Sequence, residues 1–234
     1  CHMTILIPLA GVGSRFVQAG YSAPKPLIQV DDLQMIIQAV RHLPKAERYI
    51  FLCRSEHLAH YPLRQTLEQY YPGCAIVAVD HLTEGQAATC LLAKDLIQPD
   101  EALLIGACDN GLLYDQTKWQ ALMADQSIAA AIFTFRNNVT VQRNPKAYGW
   151  VKVDNNNRVQ SVSVKVPISN DPIHDHAVVG AFWFRHGQDF ITAAEEMIAK
   201  DTRVNNEFYV DACMNNAVAA GLPVTVFEID QYIC

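Results

Sequence analysis

Residues 7–30 read IPLAGVGSRFVQAGYSAPKPLIQV. An apolar run ends in a loop that holds Gly11, Gly13, Ser14 and Arg15, and Lys25 follows between Pro24 and Pro26. Glycines at the carboxyl end of a strand let backbone N–H groups approach phosphate oxygens with no Cβ in the way. Arg15 offers a planar fork suited to bidentate contact with phosphate, and Lys25 a compact point charge. The flanking prolines restrict the backbone on both sides of that lysine. Taken singly, a G-x-G turn and solvated cations are commonplace, and it is the combination that points to a polyphosphate. Two known phosphate loops do not fit. The dinucleotide fingerprint needs a glycine where Phe16 stands, and the Walker sequence Gly-Lys-Ser/Thr is absent.

The elements around this loop follow a pattern. Apolar, β-rich runs at 4–10, 48–54, 75–80, 102–109 and 128–135 alternate with helical spacing at 33–43, 61–71, 85–97 and 116–126. Strand then helix, repeated, predicts a mostly parallel sheet with helices on both faces. In such sheets ligands bind outside the carboxyl ends of the strands, where Leu9, Ala10, Gly11, Val12, Gly13 and Ser14 fall. The second half changes character. Segments 147–154 and 158–166 flank the turn-prone Asn155, Asn156 and Asn157 and read as a hairpin. A strand at 177–185, helices at 188–200 and 208–221, and a closing strand at 223–229 complete the reading. The expected fold is three-layer α/β/α, a mixed, mostly parallel Rossmann-like sheet with an antiparallel hairpin insertion, in one domain spanning 1–234.

Bulk properties exclude other classes. Of 234 residues, 18 are Lys or Arg and 24 Asp or Glu, for a formal charge of -6 and no basic run, so neither nucleic acid nor an anionic membrane is an expected partner. No apolar stretch approaches the roughly 20 residues of a membrane span. The seven cysteines show no CxxC and no Cys/His ligand spacing, which predicts reduced thiols, a cytoplasmic setting and no zinc. Residues 1–2 read as a cloning scar before Met3. His174 and His176 in "HDH" are expected in a solvated loop, and Trp150 and Trp183 in the core or a pocket wall.

LAGVGSRF…PKPLI resembles the signature of the nucleotidyltransferases that activate sugar phosphates, the pyrophosphorylases and their phosphocholine-type cytidylyltransferase relatives. The resemblance extends through TEGQAAT (83–89), LLIGACDN (103–110), AYGWVKVDNNNRVQSVSVKVP (147–167), VVGAFWF (178–184) and RVNNEFYVDA (203–212). It implies a GT-A-like fold and attack of a phosphate monoester on the α-phosphorus of a nucleoside triphosphate, with pyrophosphate leaving and Mg²⁺ as cofactor. The product would be an NDP-activated precursor for surface polysaccharide.

Roles carried over by the resemblance are specific. Arg15 would hold the β- and γ-phosphates, and Lys25 the α-phosphate or the incoming one. Glu84, Gly85 and Gln86 would meet the nucleobase. Asp109, Tyr148, Gly149, Lys165 and Gly180 would face the acceptor. Asp109 would bind Mg²⁺, with Glu207 ranked ahead of Asp211 as the second ligand. One departure matters: the usual Glu-Lys-Pro reads Val164, Lys165, Val166, so the glutamate that meets a sugar hydroxyl is missing. That turns the expectation toward a small or non-sugar phosphate and a pyrimidine nucleotide. A homo-oligomer, or a further domain past residue 234, fits the same reading. A GT-A glycosyltransferase would carry D-x-D, whereas Cys108 precedes the single Asp109. Retention of Arg15, Lys25 and Asp109 opposes a non-catalytic relative, and Phe16 opposes a redox Rossmann domain.

Overall fold

The computed structural model describes residues 2–10, 30–106 and 111–233. Strand β1 (Met3–Pro8) is buried along nearly its whole length, as a central parallel strand covered on both faces must be. Helix α1 (Val30–Arg41) leads to β2 (Arg48–Arg54), and α2 (Ser55–His60) and α3 (Leu63–Tyr70) lead to β3 (Ala75–Val79). Helix α4 (Gln86–Leu91) precedes β4 (Ala102–Ile105). The short β5 (Gly111–Leu113) and α5 (Gln116–Ala124) precede β6 (Ala130–Phe135). After α6 (Thr140–Arg143) come the hairpin β7 (Gly149–Val153) and β8 (Val159–Val164), then β9 (His176–Phe184). Helices α7 (Gly187–Ala199) and α8 (Val210–Ala219) and strands β10 (Val224–Glu228) and β11 (Gln231–Ile233) complete the chain.

The main sheet runs β10-β6-β9-β4-β1-β2-β3. Strands β4, β1, β2 and β3 are mutually parallel, and β10 is parallel to β6. Strand β9 is reversed against both its neighbours, and β7 pairs with its start through Trp150↔Ala177. The sheet is therefore mixed and mostly parallel. Alternation along the strands sends side chains to opposite faces. Ile5, Ile7, Phe51 and Leu104 pack with Leu33, Ile37, Leu67 and Trp119 from α1, α3 and α5. Leu6, Leu52, Leu103 and Phe184 pack with Cys90, Phe190, Met197 and Met214 from α4, α7 and α8. Three layers result. No helix among the described residues is long and apolar enough to cross a membrane.

Four local expectations change. The helix expected over 61–71 starts two residues late, at Leu63, because Pro62 keeps Tyr61 extended at φ -133°, ψ 155°, and a further short helix, Ser55–His60, precedes it. The helix expected over 85–97 ends at Leu91, and the chain passes into a 3₁₀ turn over Lys94–Leu96. Strands β5 and β11 form a separate antiparallel pair that no periodicity could reveal in three residues each. His176 is not in a solvated loop: it is buried at the start of β9, its Nδ1 2.8 Å from Thr134 Oγ1, while His174 is exposed against Asp171. Trp150 and Trp183 are both fully buried. The hairpin tip is closed by Asp154, whose carboxylate accepts from the backbone N–H groups of Asn156 and Arg158.

Candidate active site

A cleft of about 850 Å³ opens at the carboxyl ends of β1, β2 and β3, where Pro8, Ala10, Arg54 and Val79 form its floor. One wall is the segment before and within α4, with Thr83, Gly85, Gln86 and Thr89. The other carries Ala147, Lys165, Glu207 and Tyr209.

The wall around α4 is fixed by a contact distant in sequence. Gly85 has φ +122°, and a Cβ there would lie 2.6 Å from the backbone N and 2.7 Å from the backbone O of Phe208. Only glycine fits both constraints. Phe208 N–H donates to the Glu84 carbonyl at 2.8 Å, and its own carbonyl accepts from Ala87 N–H at 3.0 Å. Thr89 Oγ1 donates to the Gly85 carbonyl at 3.0 Å and meets Thr83 Oγ1 at 2.5 Å. The half-buried Gln86 is thereby held on the cleft wall at the start of α4.

Glu207 is presented by a tight turn. Val204 and Glu207 exchange both backbone hydrogen bonds at 2.9 Å across Asn205 and Asn206, whose φ values are 48° and 68°. Two left-handed residues in a two-residue loop are the geometry that asparagine tolerates best after glycine. Two residues beyond Glu207, Tyr209 lines the same wall, with Asp211 in the first turn of α8. Lys165 also has a left-handed backbone, φ 63°. Its N–H donates to the Tyr148 carbonyl at 3.0 Å, and its ammonium lies 5.8 Å from the centre of the Tyr209 ring.

The electrostatics of this wall are acidic behind the lysine. Burial pushes the Asp211 carboxyl up to about 6, with its own backbone N–H and Lys165 pulling the other way. The Tyr209 hydroxyl is raised by burial and then by the charges of Glu207 and Asp211. Among the described residues no three His, Cys, Asp or Glu side chains stand together as a self-sufficient metal site. Magnesium usually takes one or two carboxylates and completes its shell with phosphate oxygens and water. The half-buried Asp211 carboxylate, with the Glu207 carboxylate four residues before it, is a donor set of that kind.

The sequence-derived residues divide three ways. Ala10, Gly85, Gln86, Lys165 and Glu207 line one cleft. Leu9, Glu84, Tyr148, Gly149, Gly180 and Asp211 stand off its lining. Leu9 is fully buried and its N–H donates to Leu52 at 2.7 Å. The Glu84 carboxylate pairs with Arg203. Tyr148 packs its ring 5.8 Å from Phe135 and 6.1 Å from Trp150. Gly149 leaves room for the Asp211 carboxylate. Gly180, with φ 82°, sits where β9 bulges against β6 between Ile132 and Thr134. Gly11, Val12, Gly13, Ser14, Arg15, Lys25 and Asp109 lie outside the described residues. Sequence reasoning overlooked Arg54 at the end of β2, Ser55 and Glu56 after it, and Asp80, His81 and Leu82 after β3, all on the cleft. The available signal was position: they follow parallel strands as Gly11 follows β1. Arg54 is paired with Glu56, and a hydrogen bond from His81 holds the Asp80 carboxyl below its usual range.

The architecture is shared with solved structures. A nucleoside-diphosphate-sugar pyrophosphorylase from Vibrio cholerae RC9 superposes with TM-score 0.71 at 19% identity, over 96% of this chain and 91% of that one. The inositol-1-phosphate CTP transferase from T. maritima gives 0.68 at 13%, over 97% and 85%. UDP-glucose pyrophosphorylase complexed with UDP-glucose gives 0.68 at 14%, over 99% and 92%. Comparison with curated protein sequences gives no match. The sequence itself matches the Nucleotidyl transferase family over residues 5–224, nearly its full length. The chain belongs to that family and is a nucleotidyltransferase.

Proposed function

We propose that the protein is a magnesium-dependent enzyme that joins a nucleoside triphosphate to a phosphate monoester and releases pyrophosphate. The observation that carries this reading is the convergence of Gly85, Gln86, Lys165 and Glu207 on one cleft at the carboxyl ends of β1, β2 and β3. An oxygen of the monoester attacks the α-phosphorus. The new P–O bond forms as the bond from the α-phosphorus to the α,β-bridging oxygen breaks, and that oxygen leaves with pyrophosphate. A phosphate monoester is largely dianionic at neutral pH, so the attacking oxygen needs no protein base. The task of the protein is alignment and neutralisation.

In this reading Gln86 and the backbone of Gly85 meet the base, since an amide donates and accepts together. Lys165 meets the acceptor phosphate. Arg15, Lys25 and the 11–14 loop take the triphosphate. Asp109, Glu207 and Asp211 would hold Mg²⁺, which when bound withdraws charge from phosphate oxygens. The valines on either side of Lys165 supply no carboxylate for a sugar hydroxyl, and Val166 is 61% exposed. That favours a small or non-sugar phosphate, with a pyrimidine as base; one fold relative is an inositol-1-phosphate CTP transferase. The chain would act as one cytoplasmic nucleotidyltransferase unit, alone, in a homo-oligomer or joined to a further domain, supplying an activated precursor for surface polysaccharide.

The test is pyrophosphate release from each NTP with Mg²⁺ and a panel of phosphate monoesters. One NTP and one monoester class should support release, and chelation should stop it. No release with any pair, or hydrolysis of a nucleotide sugar without pyrophosphate, would contradict the reading.

A further inference from the structure

Arg203 joins two loops that line the cleft and touch each other, the one before α4 and the turn that presents Glu207. Its Nη2 donates to Glu84 Oε1 at 2.8 Å, its Nε to Asp201 Oδ1 at 2.5 Å and its Nη1 to the Asn206 carbonyl at 3.1 Å. The guanidinium carbon lies 4.3 Å from the centre of the Phe208 ring. Phe208 is the residue whose backbone pairs with Glu84 and Ala87, and its peptide occupies the space that a Cβ on Gly85 would need. One planar side chain thus grips the residue before Gly85, the turn that presents Glu207, and the aromatic ring between them.

We propose that Arg203 is a positioning residue: it fixes the Glu84–Gly85–Gln86 segment against the Glu207 turn, and so sets the affinity for the nucleoside triphosphate. This rests on the functional reading above. The contacts are partly exposed, Glu84 at 62% and Arg203 at 27%, and pairs of that kind contribute little to global stability. Loss of Arg203 should therefore loosen the two loops without unfolding the sheet. Lysine at this position keeps a charge for Glu84 but loses the fork and the flat face over Phe208.

The experiment compares wild type, Arg203→Ala and Arg203→Lys by hydrogen exchange, thermal denaturation, and titration with NTP and with the acceptor. In Arg203→Ala, exchange of the Ala87 and Phe208 amides should accelerate by about tenfold or more, with Tm within about 3 °C of wild type. KM or Kd for NTP should rise about tenfold or more, with the acceptor KM within about twofold. Arg203→Lys should recover part of each change. Unaltered exchange, or faster exchange with unaltered NTP affinity, would overturn the proposal. Wild type that binds no NTP would remove the functional reading, and with it this role. Wild type that binds NTP as tightly as Arg203→Ala would overturn the positioning role alone.

Discussion

The carboxylate of Asp211 occupies the space that a side chain on Gly149 would fill, and a Cβ there would also press within 3.1 Å of Val178 Cγ2. The β7 glycine is therefore required by a carboxylate from the start of α8. Gly149→Ala should displace that carboxylate from its place beside Lys165. We expect kcat to fall by roughly 10² while the protein stays folded, on the scale seen when a positioned charge at a reaction centre is lost. Steady-state kinetics with a melting curve checks this. A loss of less than threefold would separate Asp211 from the chemistry.

Asp211 also predicts a pH dependence. Its folded-state carboxyl titrates at about 6, above the ordinary 3.8, because burial disfavours the anion. A carboxyl raised in the folded state stabilises at low pH, where it is protonated, and that stability is lost as pH rises through about 6. Asp211→Asn should therefore gain Tm relative to wild type between pH 4 and 7. Mg²⁺ with NTP should raise the wild-type Tm at pH 7 more than that of the variant. Parallel melting curves across pH test both signs.

Gly85→Ala should be more damaging than an ordinary glycine-to-alanine change. Its backbone lies in the left-handed region and its missing Cβ faces a peptide bond rather than a movable side chain. Strain of about 1–3 kcal/mol is expected from the backbone alone. The Ala87–Phe208 and Phe208–Glu84 hydrogen bonds should open. Nucleotide affinity measured by calorimetry should fall with the Tm, and Arg203 intact should not restore it.

Much of the fold was legible because its strands are continuous apolar runs. Ile5, Ile7 and Leu6 announce a strand buried on both faces, and the repeated helices announce the layers between. Boundaries failed where chemistry was local: Pro62 holds Tyr61 out of the helix that apolar spacing starts there, and the short helix Ser55–His60 carries too few residues for a period to show. At the site, the letters of Tyr148-Gly149, Thr83-Glu84-Gly85-Gln86 and Asn206-Glu207 were legible as family motifs, but their physical reasons were not. Gly85 answers to Phe208, Gly149 to Asp211 and Gly180 to a bulge, all long-range relations that no window of sequence contains. Arg203 was passed over for the same reason, since its partners Glu84 and Phe208 meet only in the folded chain.

His57 predicts an acid-sensitive fold. It is 2% exposed, and among the described residues neither its ring nitrogens nor the hydroxyl of the neighbouring Tyr61 find a hydrogen-bond partner. Burial, then Arg54, lowers its pKa to about 4. The folded state resists protonation between 6.5 and about 4, so stability from this group is full above 6.5 and falls as pH drops. At roughly 1.4 kcal/mol per pH unit over that interval, the loss approaches about 3 kcal/mol. His57→Leu should flatten the decline and raise the Tm at pH 5. A denaturation midpoint at pH 5 that the substitution leaves unchanged would contradict the assignment.

The most direct measurement places the oxygen atoms. With a phosphate monoester carrying ¹⁸O on its phosphoryl oxygens, attack on the α-phosphorus predicts label in the product diphosphate, including its bridge, and none in the released pyrophosphate. Labelled pyrophosphate, or the monoester recovered with all its label beside a hydrolysed nucleotide, would contradict transfer of a nucleotidyl group to the acceptor.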